Sequence, residues 1–180
     1  MKHRKAAPGL AAMIFLFFGV KAPVLAGQGS VPLPATHGKS VSGKGVTLPA
    51  SDRPYTLIVA GFTKSSSAPV KAWWEKAQGL CASQPMVACF RVAVLEDVPG
   101  FIRGMVVGGI RRDLPPAQQD TFVTVFENES AWKQAFGFSV TDDAYLGLFD
   151  SAGKPLWHAS GSEAASNSAA IAKAFDLLPR

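Results

Sequence analysis

The stretch YTLIVAGFTKSSSAPVKAWWEKAQ, residues 55–78, joins an apolar run to an amphipathic one through a small polar turn. Residues 55–62 are almost continuously apolar, with β-branched members, as in a central strand buried on both faces. Beyond Ser67-Ala68-Pro69-Val70, the residues Val70, Trp73, Trp74, Ala77, Leu80 and Cys81 recur at i, i+3, i+4 and i+7, which predicts a helix with one apolar face. Ser67 is expected to cap its first turn. Pro69 is tolerated there because the first amides of a helix have no intrahelical partner.

Downstream, MVACFRVAVLED (86–97) reads as a second buried strand, and PGFIRGMVVGGIRRDLPP (99–116) as a helix weakened by Gly100, Gly104, Gly108 and Gly109 and ended by Pro115-Pro116. TFVTVFEN (121–128) alternates as a strand, and ESAWKQAFG (129–137) is a short helix closed by glycine. AYLGLFDSAGKPLWHAS carries a turn at Asp150-Ser151-Ala152-Gly153 between two strands, and a last helix runs from about Ser162 to Leu178. The order is β-α-β-α-β-α-β-β-α. It predicts an α/β domain over 55–178: a central mixed sheet flanked by helices, parallel where strands alternate with helices and antiparallel at the hairpin.

Upstream, residues 1–26 have the form of a secretory signal peptide. A basic start (Lys2, His3, Arg4, Lys5) precedes the apolar core GLAAMIFLFFGV and the small-residue cleavage site VLA at 24–26. An uncleaved anchor is the competing reading. The leader holds four of the 18 basic residues and no acid, so cleavage leaves 14 bases against 13 acids. The formal charge of +5 therefore belongs mostly to the leader, and a nucleic-acid partner loses its electrostatic support. The processed protein is expected in the periplasm or outside the cell, soluble, with residues 27–54 forming a loop with short extended pieces around Val46-Thr47-Leu48.

The two cysteines, Cys81 and Cys89, are eight residues apart, a spacing that fits neither a redox dithiol nor a zinc knuckle. In an oxidising compartment they are candidates for a structural disulfide. Two free thiols and a relocated redox pair remain the alternatives. Ser65, Ser66 and Ser67 could act as nucleophiles with His37 or His158 and Asp142, Asp143 or Asp150, but no Gly-x-Ser-x-Gly elbow accompanies them, and turn chemistry accounts for the serines. His158 has no second ligand two or four residues away, so no metal is expected. HGKS at 37–40 lacks the upstream glycine of a phosphate loop. No cofactor is implied. Arg111-Arg112 reads as a solvated helix end.

The order of elements, with Ser67-Ala68-Pro69-Val70 at the first strand–helix junction, resembles the thioredoxin fold over roughly residues 46–178. LIVAGFTKSSSAPVKAW and AYLGLFDSAGKPLWHASG carry the resemblance. VVGGIRRDLP and the Leu-Gly-Leu-Phe-Asp-x-x-Gly-Lys-x-x-Trp hairpin are also similar to the mitochondrial ATP synthase assembly-factor family, whose members keep the fold and act as chaperones for a membrane complex. In redox relatives, Cys-x-Pro-Cys stands at the junction. Here its first cysteine falls on Ser67 and its resolving cysteine on Val70. The cis-proline that faces the dithiol in those relatives falls near Asp143-Ala144. The peptide there should be trans, because a cis bond before a non-proline residue costs about 2.5–4 kcal/mol. The resemblance thus implies a fold that has lost its exchange site. Phe62, Trp73, Trp74 and Tyr145 are the expected lining of a groove beside it that binds a protein segment, with one of the adjacent tryptophans in the core and the other partly exposed. The functional expectation is a non-catalytic binding or assembly module, chaperone-like, for an envelope or membrane complex. The alternative is a thiol–disulfide oxidoreductase or peroxidase using Cys81 and Cys89.

Overall fold

The computed structural model describes residues 31–161 and 168–179. The expected signal peptide, residues 27–30 and the expected start of the last helix therefore lie outside the described residues.

Strand β1 (Thr36–Ser40) and β2 (Gly45–Leu48) form a hairpin, followed by β3 (Tyr55–Gly61), α1 (Ser67–Ala82), β4 (Val87–Val94) and α2 (Gly100–Asp113). The chain continues through a single turn α3 (Pro116–Gln119), β5 (Phe122–Val125), α4 (Glu129–Ala135), β6 (Ala144–Asp150), β7 (Pro155–Gly161) and α5 (Ser168–Asp176). The seven strands make one sheet in the order β2-β1-β5-β4-β3-β6-β7. β3, β4 and β5 pair in parallel, and β6 and β7 add antiparallel neighbours on one side.

Within the segment 27–54, where a loop with short extended pieces was expected, β2 covers Val46-Thr47-Leu48 and β1 adds a second short strand. THGKS has no apolar alternation, so nothing in its sequence marks a strand. Pairing with β2 on one side and β5 on the other makes it one. HGKS lies inside that strand rather than in a loop.

Successive side chains of a strand point to opposite faces, and β3 divides accordingly. Leu57 and Val59 join α1 and α5 in one core with Trp73, Trp74, Ile171 and Phe175, while Ile58, Ala60 and Phe62 join Trp132, Phe136, Tyr145 and Phe149 in the other. Going from β3 to β4 to β5 moves across the sheet in one direction, so right-handed crossovers put α1 and α2 on the same face. α4 covers the other. α2 is the helix that sequence pattern described least well: it forms, but none of its residues is buried.

At the β6–β7 turn, Gly153 has φ +80°, and a Cβ there would lie 2.6 Å from the Leu33 carbonyl oxygen. The close approach lets Leu33 N donate to the Gly153 carbonyl at 2.8 Å and ties the N-terminal segment to the hairpin.

Candidate functional site

The end of β3 and the start of α1 are locked by local hydrogen bonds. Ser66, fully buried, donates from Oγ to the Thr63 carbonyl (2.8 Å) and accepts from Thr63 N (3.3 Å), while its own amide donates to Thr63 Oγ1 (3.1 Å). Ser66, not Ser67, holds the N-cap position, and no side chain caps the helix. This corrects the role expected of Ser67: the turn closes one residue earlier, through a Thr63–Ser66 loop. Ser67 and Ala68 are exposed, Pro69 is half-buried, and Val70 is packed under the helix.

Across from this turn, Thr63 Oγ1 donates to the Thr141 carbonyl at 3.0 Å, joining the β3–α1 loop to the segment ahead of β6. That segment is held from below by Tyr145. Its hydroxyl accepts from the amides of Ser139 (2.9 Å) and Val140 (2.7 Å) and donates to the Val140 carbonyl (2.8 Å). Asp143 is half-buried and Ala144 fully buried. The peptide between them is trans, and among the described residues the cis bond is Leu48–Pro49.

This arrangement can do little chemistry. Of positions 66–69, the Ser66 amide is taken by Thr63, the Ser67 amide donates to the Lys64 carbonyl (3.2 Å), and Pro69 has no N–H. The turn that would otherwise cradle an anion or a thiolate therefore offers little beyond the amide of Ala68.

The expected aromatic groove is corrected. Phe62, Trp73, Trp74 and Tyr145 are all buried, and they belong to two cores on opposite faces of the sheet. Trp73 reaches toward β7, where Nε1 donates to the Gly161 carbonyl at 3.0 Å. Trp74 reaches toward β4, with its ring centroid 5.9 Å from the Arg91 guanidinium. Both rings are covered because α1 packs on the sheet with α5 beside it, in one core that holds Leu57, Val59, Ile171 and Phe175. Phe62 stacks edge-on against Phe138 (5.2 Å), Tyr145 (5.6 Å) and Phe136 (6.3 Å).

Cys81 and Cys89 are bonded to each other, with Cα atoms 6.3 Å apart. The bridge ties the end of α1 to β4, 14 residues from Ser67, or about 21 Å along the helix axis at 1.5 Å per residue. In the chain-entropy picture it contributes roughly 2–3 kcal/mol. Among the described residues, no group of three or more His, Cys, Asp or Glu is placed to hold a metal ion, and no helix is long and apolar enough to cross a membrane.

One residue that sequence reasoning passed over is Arg91. It is the lone cation in an otherwise apolar strand, and that was the available signal. It is 5 % exposed, and its guanidinium packs over Phe122 (4.5 Å) as well as Trp74. Burial pushes its pKa down to about 10, with the nearby Glu75 carboxylate partly opposing. Because the folded value lies below the unfolded one, the unfolded chain holds this proton more tightly. The resulting penalty is full below about pH 10 and shrinks as pH rises through it. Arg91→Met keeps the bulk without the charge, and the expected outcome is unchanged stability or a gain of about 1 kcal/mol at pH 7. The gain should narrow between pH 9 and about 10.5 in urea unfolding, and a loss of 2 kcal/mol or more at pH 7 would refute this account.

A Sco-family cytochrome c oxidase assembly protein, BsSco, superposes with a TM-score of 0.56 at 15% identity, over 82% of this chain and 95% of that one. The fold is thioredoxin-like. The exposed lipoprotein thioredoxin of Streptococcus pneumoniae strain TIGR4 matches with a TM-score of 0.55 at 13% identity, covering 81% of this chain and 100% of its own. A DsbF homologue from Corynebacterium diphtheriae matches with a TM-score of 0.55 at 13% identity, over 82% and 86%. No family model matches the chain, and no curated relative matches it by sequence.

Proposed function

We propose that this chain is an exported, non-redox member of the thioredoxin-like superfamily that binds a protein and assists assembly of an envelope or membrane complex. The observation that carries the reading is the disposition of sulfur. Both cysteines are consumed in one disulfide at the far end of α1, while the sequence resemblance puts Ser67 and Val70 at the positions of the exchange dithiol and the trans Asp143–Ala144 peptide at that of the cis-proline. A serine hydroxyl does not exchange with a disulfide, and valine cannot resolve one. The thioredoxin-like scaffold serves assembly in at least one structural neighbour, the Sco-family protein, and the hairpin and VVGGIRRDLP likeness to the ATP synthase assembly-factor family points the same way.

The second reading, an oxidoreductase working through Cys81 and Cys89, is favoured by the half-buried setting of both sulfur-bearing residues and by the thiol–disulfide oxidoreductases among the structural neighbours. The two readings part cleanly in one experiment. The purified chain should reduce a model protein disulfide no faster than buffer with thiol reductant alone, and Cys81→Ser with Cys89→Ser should change nothing. Deleting the chain in its host should lower the amount of one assembled membrane complex and leave the thiol state of envelope proteins untouched. Turnover that disappears with either serine substitution would overturn the assembly reading.

A further inference from the structure

Three buried hydrogen-bond donors on the α1 side of the sheet have no acceptor among the described residues: Trp74 Nε1, Arg91 Nε and Arg91 Nη2. Trp74 is 4 % and Arg91 5 % exposed. The donors belong to one cluster, since the Arg91 guanidinium carbon lies 5.9 Å from the centroid of the Trp74 ring and 4.5 Å from that of Phe122. Aromatic rings hold a guanidinium through its face and leave the N–H groups on its edge unspent. Nε and Nη2 are the two donors of a single edge. Their N–H bonds run parallel, the arrangement that grips both oxygens of a carboxylate. The nearby Glu75 carboxylate is exposed and forms no ion pair with Arg91.

Packing does not account for this cluster. Arg91 stands on a central strand, between β3 and β5, where an apolar side chain of the same bulk would fill the space, and buried donors without acceptors cost stability. All three groups are donors, so what completes them is an acceptor. A monoanion neutralises one guanidinium, whereas a dianion such as hydrogen phosphate would leave a buried charge unmatched. The planar rings of Trp74 and Phe122 also fit a planar carboxylate better than a tetrahedral oxyanion. Phe122 is the register partner of Arg91, so both lie on the face where α2 crosses from β4 to β5. No residue of α2 is buried, so a small ligand need displace little to reach the cluster.

We infer that Arg91 and Trp74 form a carboxylate-binding site, in which Arg91 Nε and Nη2 take the two oxygens of a monocarboxylate and Trp74 Nε1 donates to one of them. The site is independent of the assembly reading. For a ligand as small as acetate the dissociation constant is on the order of 1 mM.

Titration of the processed chain with sodium acetate, against sodium chloride at equal ionic strength, tests it by NMR of the indole and guanidinium N–H groups. The Trp74 indole and Arg91 Nε–H signals should shift saturably, while the Trp73 indole, already bonded to the Gly161 carbonyl, stays still. At roughly ten times the dissociation constant the melting temperature should rise by about 3–6 °C. Arg91→Met, which is expected to fold at least as stably, should abolish both responses. Arg91→Lys keeps the charge without the paired donors and should weaken binding roughly tenfold or more. A short peptide and its C-terminal amide distinguish the source of the carboxylate. A peptide acid that binds more tightly than acetate, with its amide silent, places the group on a protein chain end, and one that binds no more tightly places it on a small free acid; either result supports the site. Absence of any saturable shift up to about 100 mM acetate overturns the inference and leaves water as the acceptor. A Trp74 response in Arg91→Met equal to the native one overturns it too, as does inorganic phosphate binding as tightly as acetate.

Discussion

Gly147→Ala is expected to destabilise the domain by about 3 kcal/mol, equivalent to a fall in melting temperature of roughly 6–12 °C. Gly147 lies in the middle of β6, opposite Ile58 on β3 and His158 on β7, so the strand cannot shift to relieve crowding without breaking two ladders. A Cβ there would come within 2.4 Å of Phe149 Cε2, 2.6 Å of Phe149 Cζ and 2.9 Å of Phe136 Cε1. Neither ring has room to retreat. Phe149 is fully buried and packs edge-on to Phe136 at 5.4 Å, and Phe136 in turn stacks on Trp132 at 5.9 Å. The glycine is thus the floor on which the Phe149 ring lies. Urea unfolding checks the magnitude. Shortening the obstructing ring in Gly147→Ala/Phe149→Leu should recover part of the loss, and a double variant no more stable than Gly147→Ala would show that the clash is not the cause.

The second large effect is at Trp73. Trp73→Ala should cost about 3–5 kcal/mol, the range for emptying a fully buried aromatic site. The indole contributes in two ways, as volume between α1, the sheet and α5, and as the donor that ties α1 to the Gly161 carbonyl on β7. Trp73→Phe keeps most of the volume and removes the donor, so it should cost about 1 kcal/mol beyond its packing loss. Its neighbour is the control. Trp74 is equally enclosed, but its Nε1 has no acceptor among the described residues, so Trp74→Phe should be the milder substitution. Equal losses for the two phenylalanine variants in thermal unfolding would mean that the Trp73–Gly161 hydrogen bond adds nothing net.

These two sites show why part of the molecule was legible and part was not. The run from Tyr55 to Phe62 is almost continuously apolar with β-branched members, as a strand covered on both faces requires, and the observed β3 has a core on each side of it. The i, i+3, i+4 spacing placed α1. The strand–helix alternation predicted the parallel β3-β4-β5 pairing, and the Asp150–Gly153 turn the β6–β7 hairpin. Periodicity reports which residues of one element share a face, and that is enough for these.

Periodicity does not report what lies opposite. Two tryptophans 100° apart on α1 read as one inside and one outside, yet the sheet and α5 together leave both buried. Phe62 and Tyr145 read as groove lining beside them, yet the sheet itself stands between the pairs. β1 carries no strand pattern and exists because two neighbours offer it their backbone groups. That serine, proline and valine follow β3 at Ser67, Pro69 and Val70 was plain in the sequence. That Ser66 rather than Ser67 holds the turn, and that Thr63 bridges to Thr141, came from atoms many residues apart. The sequence by itself determined the fold class and the order of its core elements, because local apolar spacing encodes them. Tertiary structure alone decided which aromatic residues are hidden, that Cys81 and Cys89 are bonded rather than two free thiols, and that Phe101 and Met105 of α2 are left facing water, because burial and pairing depend on partners that local spacing does not report.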